Sequence, residues 1–94
     1  MPHMYILRCA DGTFYVGSTR DLERRLGEHG EGGVGYTRLR RPVTLAYAEE
    51  YERVDEAYAR EKQVQGWSRR KRQALIDGDT EALRAGAKKR FPGS

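Results

Sequence analysis

An α/β fold of the α+β kind is predicted by the order of local signals along the chain. Two short β-type runs meet at a tight turn, a third β run follows a glycine-rich stretch, and helical segments fill the remainder. With 94 residues, 37% of them hydrophobic, the chain can build one small core but not two. A single domain over residues 1–87 is therefore expected, followed by a basic, frayed tail at 88–94.

Residues 4 to 9 and 13 to 18 are rich in Tyr, Ile, Leu, Phe and Val and are separated by Ala10-Asp11-Gly12, which reads as a hairpin. Loop length decides which side chains share a face. A two-residue Asp11-Gly12 turn would put Tyr5 and Tyr15 on opposite faces. A three-residue loop with Gly12 left-handed pairs Cys9 with Thr13, Leu7 with Tyr15 and Tyr5 with Gly17, and makes the two tyrosines diagonal neighbours on one face.

Thr19 or Asp21 can cap a helix running to about His29, ended by Gly30 and the glycines that follow. Its apolar positions, Leu22 and Leu26, belong to a stripe completed by Arg25 and His29, while Arg24 should face solvent. A long basic loop, Gly30 to Arg41, leads through Pro42 to a third β run, Val43 to Tyr51. Asp55 or a neighbour opens a helix reaching about Trp67, with Val54, Ala57, Tyr58, Val64 and Gln65 along one stripe and Glu61 in its central gap. Ser68 caps a further helix that ends before Asp77-Gly78, and a last short helical piece spans about Thr80 to Ala87.

The balance of 18 Lys and Arg against 14 Asp and Glu gives +4, which favours a polyanionic partner. Arg69 to Arg72 and the tail concentrate positive charge, whereas residues 49 to 61 are acidic. A lone Cys9 forms no internal disulfide and supplies no zinc set, and no leader or membrane-spanning segment is evident. A soluble, cytoplasmic protein without membrane association is expected.

Tyr5, Tyr15, Arg25, His29 and Glu61 all fall on inward faces of their expected elements. Each has an ordinary explanation: tyrosines favour strands, Arg25 and Glu61 could form a buried ion pair, and His29 could cap a helix end. Together they suit phosphate chemistry. A single carboxylate suits Mg2+ or Mn2+, which keep waters and borrow phosphate oxygens. A guanidinium suits phosphate, and a phenol could act as a general base if positive charge lowered its pKa. The five side chains are then expected to converge on one solvent-open concavity. Tyr36, Arg38, Arg40 and Arg41 in the loop, and Trp67, Arg69 and Lys71 around the third helix, are candidates for nucleic-acid contact, with Trp67 equally suited to the core.

The chain resembles a stand-alone GIY-YIG nuclease domain of the small UPF0213 type over roughly Met4 to Ile76. The first signature element is His3-Met4-Tyr5 in place of Gly-Ile-Tyr, and the second is Tyr15-Val16-Gly17. The segment Ser18 to Arg25 looks like the family's helix with its arginine at Arg25, followed by His29, and Arg60 to Ser68 is similar to the stretch carrying the metal-binding glutamate, here Glu61. The resemblance implies a three-stranded antiparallel sheet flanked by helices, one divalent metal on Glu61, and hydrolysis of a nucleic-acid backbone bond, DNA favoured over RNA. Tyr5 and Tyr15 would position or deprotonate the attacking water and Arg25 would stabilise the phosphate. Some relatives have a lysine where Ser18 stands. Low sequence selectivity is expected, with branched, damaged or single-stranded nucleic acid as substrate and a protein partner left open. The alternative is a nucleic-acid-binding module that keeps the fold with little or no catalysis.

Overall fold

The computed structural model describes residues 1–31, 40–79, 81 and 83, with the backbone alone at 30 and 31. The elements run β1 (His3–Arg8), β2 (Phe14–Thr19), α1 (Leu22–Glu31), β3 (Thr44–Glu50), α2 (Val54–Gln65) and α3 (Arg69–Asp77). The strands form one antiparallel sheet in the order β2-β1-β3, so β1 is central and β2 is an edge.

The hairpin follows the three-residue loop. Gly12 is left-handed at φ 85°, its N–H donates to the Cys9 carbonyl at 2.9 Å, and Cys9 N–H donates to Thr13 O at 2.9 Å. Asp11 Oδ1 accepts from the Thr13 backbone N–H at 3.1 Å and from the Thr13 hydroxyl at 2.6 Å, which fixes the turn from inside. Tyr5 therefore faces Gly17 and Leu7 faces Tyr15. Against β3 the register shifts between Ile6 and Leu7, whose partners are Tyr47 and Leu45, so Ala46 is the extra residue of a bulge.

The alternation of β1 divides the core in two. Met4 and Ile6 point to one face with Phe14 and Val16, where Val64 of α2 and Leu75 of α3 cover them. Tyr5 and Leu7 point to the other, where His29 of α1 packs on the Tyr5 and Tyr15 rings. Alpha helices thus cover both faces of a sheet that is only three strands wide.

Helix boundaries follow their caps. Asp21 Oδ1 accepts from Arg24 N–H at 3.1 Å and starts α1, which runs through Gly30 to Glu31 instead of stopping at Gly30. A glycine costs a helix about 1 kcal/mol and does not by itself end it. The second helix starts at Val54, the neighbour of Asp55, where Glu56 turns back to accept from the Arg53 N–H at 3.1 Å. Ser68 caps α3 by accepting from Lys71 N–H at 3.2 Å, and Gly78 ends it in the left-handed conformation at φ 70°. Arg72 then joins the two helices: its Nε donates to Val64 O at 3.1 Å and Nη2 to Gln65 O at 2.6 Å, placing positive charge on the carbonyl end of α2.

Glu49 is a half-buried carboxylate with an arginine partner. It accepts from Arg60 Nε at 3.0 Å and Nη2 at 3.2 Å, from Tyr51 at 2.7 Å and from Tyr47 at 2.5 Å. Burial works against its charge, but these donors outweigh burial and hold the carboxyl below its ordinary value.

Two outcomes are expected from this packing. A Cβ at Gly17 would lie 2.6 Å from Tyr5 Oη and 2.7 Å from its Cζ, and Tyr5 has no free space to retreat into, being fully buried. Gly17→Ala should cost about 1–3 kcal/mol in urea unfolding, and an unchanged midpoint would refute the close packing. His29 is also fully buried; burial first, then the Arg25 charge, push its pKa below the ordinary 6.5. The unfolded chain therefore binds the proton more readily, so stability is complete above about pH 6.5 and is lost as pH falls through the folded pKa. Thermal melts between about pH 7 and pH 5 should show this slope in the wild type and a shallower one in His29→Gln; equal slopes would assign the acid lability elsewhere.

Candidate active site

The site is built around a phenol lying over a glycine. Tyr5 rises from the central strand towards α1, and its ring lies across Gly17 of the edge strand. The Tyr5 and Tyr15 ring centroids are 6.2 Å apart, and the His29 ring lies 6.0 Å from the first and 5.2 Å from the second. The Tyr5 hydroxyl and His29 Nε2 are 3.2 Å apart, within one hydrogen bond. Burial, reinforced by the Tyr15 phenol, raises the Tyr5 pKa above its ordinary 10.0, and Glu61 adds to the rise; Arg25 acts in the opposite direction through its charge and a hydrogen bond.

Arg25 stands where the stripe of α1 meets solvent, its side chain 35% exposed and its Nε 3.2 Å from Glu28 Oε1 one turn on. Its ion pair is thus local, not the pair with Glu61 that inward spacing allowed. Arg24 is exposed, as its position requires.

Glu61 comes from the opposite side of the sheet. It hangs from α2, which packs on the Met4 and Val16 face, whereas Tyr5, Tyr15, Arg25 and His29 gather on the α1 face. The two groups meet around the edge strand: Ser18, next to Gly17, donates its hydroxyl to Glu61 Oε1 at 2.5 Å. Gln65 places one amide nitrogen between Glu61 Oε2 at 2.8 Å and the Val16 carbonyl at 3.1 Å, tying the carboxylate to the strand edge. Lys62 Nζ is 3.5 Å from Oε2. The carboxylate is only 13% exposed and is oriented by a hydroxyl and an amide, with no arginine paired to it among the described residues.

Sequence reasoning expected all five side chains to share one solvent-open surface, and their exposure differs from that. Tyr5 and His29 are completely buried, so the five do not line a common solvent-open concavity. Tyr15, Arg25 and Glu61 are the partly exposed members. Beside them opens a concavity of about 930 Å³ with Ser18 and Arg25 on its wall. Gly17, Ser18 and Gln65 were missed as site residues. Their signals were present, since Gly17 faces Tyr5 in the hairpin register and Gln65 is one turn from Glu61, but only the packing assigns them work.

The candidates for nucleic-acid contact lie apart from this cluster. Trp67 packs against the core with Arg60 over its ring at 5.0 Å and Lys71 at 4.2 Å, so its described role is packing. Arg69 lies 4.4 Å from the Phe14 ring centroid, at the end of β2 about 10 Å along the strand from Gly17. Arg40 pairs with Asp11 of the hairpin turn at 3.2 Å, and Arg41 is exposed beside it. Tyr36 and Arg38, the tail at 88–94 and all of the 80–87 piece except 81 and 83 fall outside the described residues. Among the described residues no helix is long and apolar enough to cross a membrane.

Known proteins resemble the chain in sequence and in fold. The GIY-YIG catalytic domain profile matches residues 1–74. A UPF0213 protein of Halobacterium salinarum is 45% identical over 77 residues, 81% of this chain and all of that protein. A UPF0213 protein of Staphylococcus saprophyticus is 41% identical over 75 residues, 79% and 92% of the two chains. The solution NMR structure of a UPF0213 protein from Bacillus halodurans superposes with a TM-score of 0.56 at 38% identity, covering 84% of this chain and 86% of that one. The chain shares its helix-flanked antiparallel sheet with these proteins and belongs to the GIY-YIG domain family, among its UPF0213 proteins.

Proposed function

We propose that the protein is a divalent-metal-dependent endonuclease that hydrolyses phosphodiester bonds, in DNA in preference to RNA, with little sequence selectivity. The observation that carries this reading is the meeting of two groups around the β2 edge: the Tyr5, Tyr15, His29 and Arg25 cluster on one face and the oriented Glu61 carboxylate on the other. Family membership supports a nuclease framework.

Glu61 fits a hard divalent ion such as Mg2+ or Mn2+. It is a single oxygen donor, held in place and partly exposed, and among the described residues no group of three or more His, Cys, Asp or Glu forms a closed cage. When bound there, such an ion supplies positive charge that favours hydroxide and neutralises phosphate.

The residues of this chain divide the remaining work. Ser18 and Gln65 keep the carboxylate aimed at the edge. Arg25 binds a phosphate oxygen and offsets charge developing on it. The buried Tyr5 phenol keeps its proton unless positive charge gathers beside it, so its partner His29 is best suited to hold it in place. Tyr15, partly exposed beside both, has access to water. A phenol that keeps its proton can only orient the attacking water, so the water's proton would pass to a phenolate formed when positive charge gathers beside the pair.

Cleavage of labelled branched and single-stranded DNA with Mg2+ or Mn2+ tests this directly. Arg25→Ala should lose roughly 10²–10³-fold in rate, and Glu61→Gln should lose at least as much along with the metal dependence. Ser18→Ala should lose about 10–100-fold, recoverable in part by higher metal concentration. Equal residual cleavage in wild type, Arg25→Ala and Glu61→Gln would sink the enzymatic reading. Binding without cleavage would leave the fold serving as a nucleic-acid-binding module.

A further inference from the structure

The concavity beside the cluster is bounded by the loop before α1, the first turns of α1 and the first turn of α2. Its charge is unevenly satisfied. Arg25 pairs with Glu28, and Arg53 pairs with Asp55 at 2.9 Å. Asp21 is engaged in capping α1. Arg20 and Arg24 are exposed and make no ion pair among the described residues. The groove thus holds two guanidinium groups that no carboxylate among the described residues pairs with.

Its apolar lining is equally unusual. Large hydrophobic residues exposed among the described residues are Met1, Leu45, Val54 and Tyr58, and the last two share this groove. Tyr58 is 53% exposed, and it sits one helical turn before Glu61 on α2. Lys62 lies 5.0 Å from its ring centroid and 3.5 Å from Glu61, so a second cation spans the interval between ring and carboxylate. An exposed aromatic ring among unneutralised arginines, continuous with a phosphate-directed site, matches the two surfaces of an unpaired nucleotide: a flat base and an anionic backbone. A base inside a duplex has both faces stacked and could not use the ring.

We propose that this groove binds an unpaired strand of the nucleic-acid substrate, with Tyr58 stacking on a base and Arg20 and Arg24 holding the backbone next to Glu61. The proposal rests on the nuclease reading for its choice of ligand, but its test does not require cleavage. The sequence candidates on α3 and the hairpin turn are thereby set aside in favour of residues at the starts of α1 and α2.

The test is fluorescence anisotropy without divalent metal, in a Glu61→Gln background, using a labelled single-stranded DNA oligonucleotide and its duplex. The single strand should bind more tightly. Tyr58→Ala should weaken single-strand binding roughly 5- to 150-fold, Tyr58→Phe should keep it, and duplex binding should change little. Arg20→Ala and Arg24→Ala should each flatten the dependence of log affinity on log salt by about 0.7. A 5-iodouracil oligonucleotide irradiated on the same protein should attach to the peptide carrying Tyr58. Equal affinity for both DNA forms, an unchanged Tyr58→Ala, or crosslinks confined to α3 would overturn the proposal. Preferential single-strand binding at Tyr58 in a protein whose wild type never cleaves would uphold the groove and defeat only the nuclease.

Discussion

The absent side chain at Gly17 is the constraint on which the rest of the site depends. The sheet is so narrow that its edge strand is adjacent to its central one, and a phenol from β1 reaches the edge only if nothing projects from β2 at the paired position. An added Cβ would stand 2.6 Å from the Tyr5 hydroxyl. With glycine there, Tyr5 lies flat across the strand and brings chemistry from one face to the rim. Glu61 reaches the same rim from the other face through Ser18, the next residue of β2. A wider sheet, or a larger residue at 17, would leave the two groups separated by the sheet itself.

Two carboxylates show how the same helix separates structural from chemical use. Glu49 lies against α2 with four donor atoms on it, two from one guanidinium, and that satisfied network fixes β3 to the helix. Its tyrosine partners, pushed up to about 12 by burial and then by Glu49 itself, remain donors throughout the physiological range. Glu61 has a hydroxyl and an amide, neutral groups that orient it, and the exposed Lys62 ammonium at 3.5 Å in place of a guanidinium. The arginine that could have neutralised it, Arg25, is drawn to Glu28 on its own helix. An exposed ammonium screens Glu61 less than the guanidinium screens Glu49, which would suit Glu61 to the proposed metal ion.

Much of this was legible in the sequence because it depends on short-range geometry. Gly12 decides the loop, the loop decides the register, and the register puts Tyr5 and Tyr15 on one face. Helical spacing correctly sent His29 inward and Arg24 outward. What spacing could not convey was which sheet face each helix covers, since that depends on the path between elements. Arg25 and Glu61 both read as inward, yet inward means opposite faces for α1 and α2. The same limit hid the burial of Tyr5, which follows from α1 closing over it. It also hid the groove, whose Arg20 and Arg24 are far from Tyr58 in sequence and meet it only through the fold.

The edge strand explains why the proposed groove and the Glu61 carboxylate share one rim. An edge offers unpaired backbone groups that fold and partners must satisfy or avoid. Here the Val16 carbonyl is taken by Gln65, the same amide that steadies Glu61, so covering the edge and aiming the carboxylate are one arrangement. The start of α1 follows directly from the end of β2, which brings Arg20 and Arg24 to that rim without any intervening element. Tyr58 arrives from α2 one turn before the carboxylate. A strand lying along the groove would therefore reach Arg25 and Glu61 by continuing in the same direction, and its selection would rest on being unpaired, not on the identity of its bases.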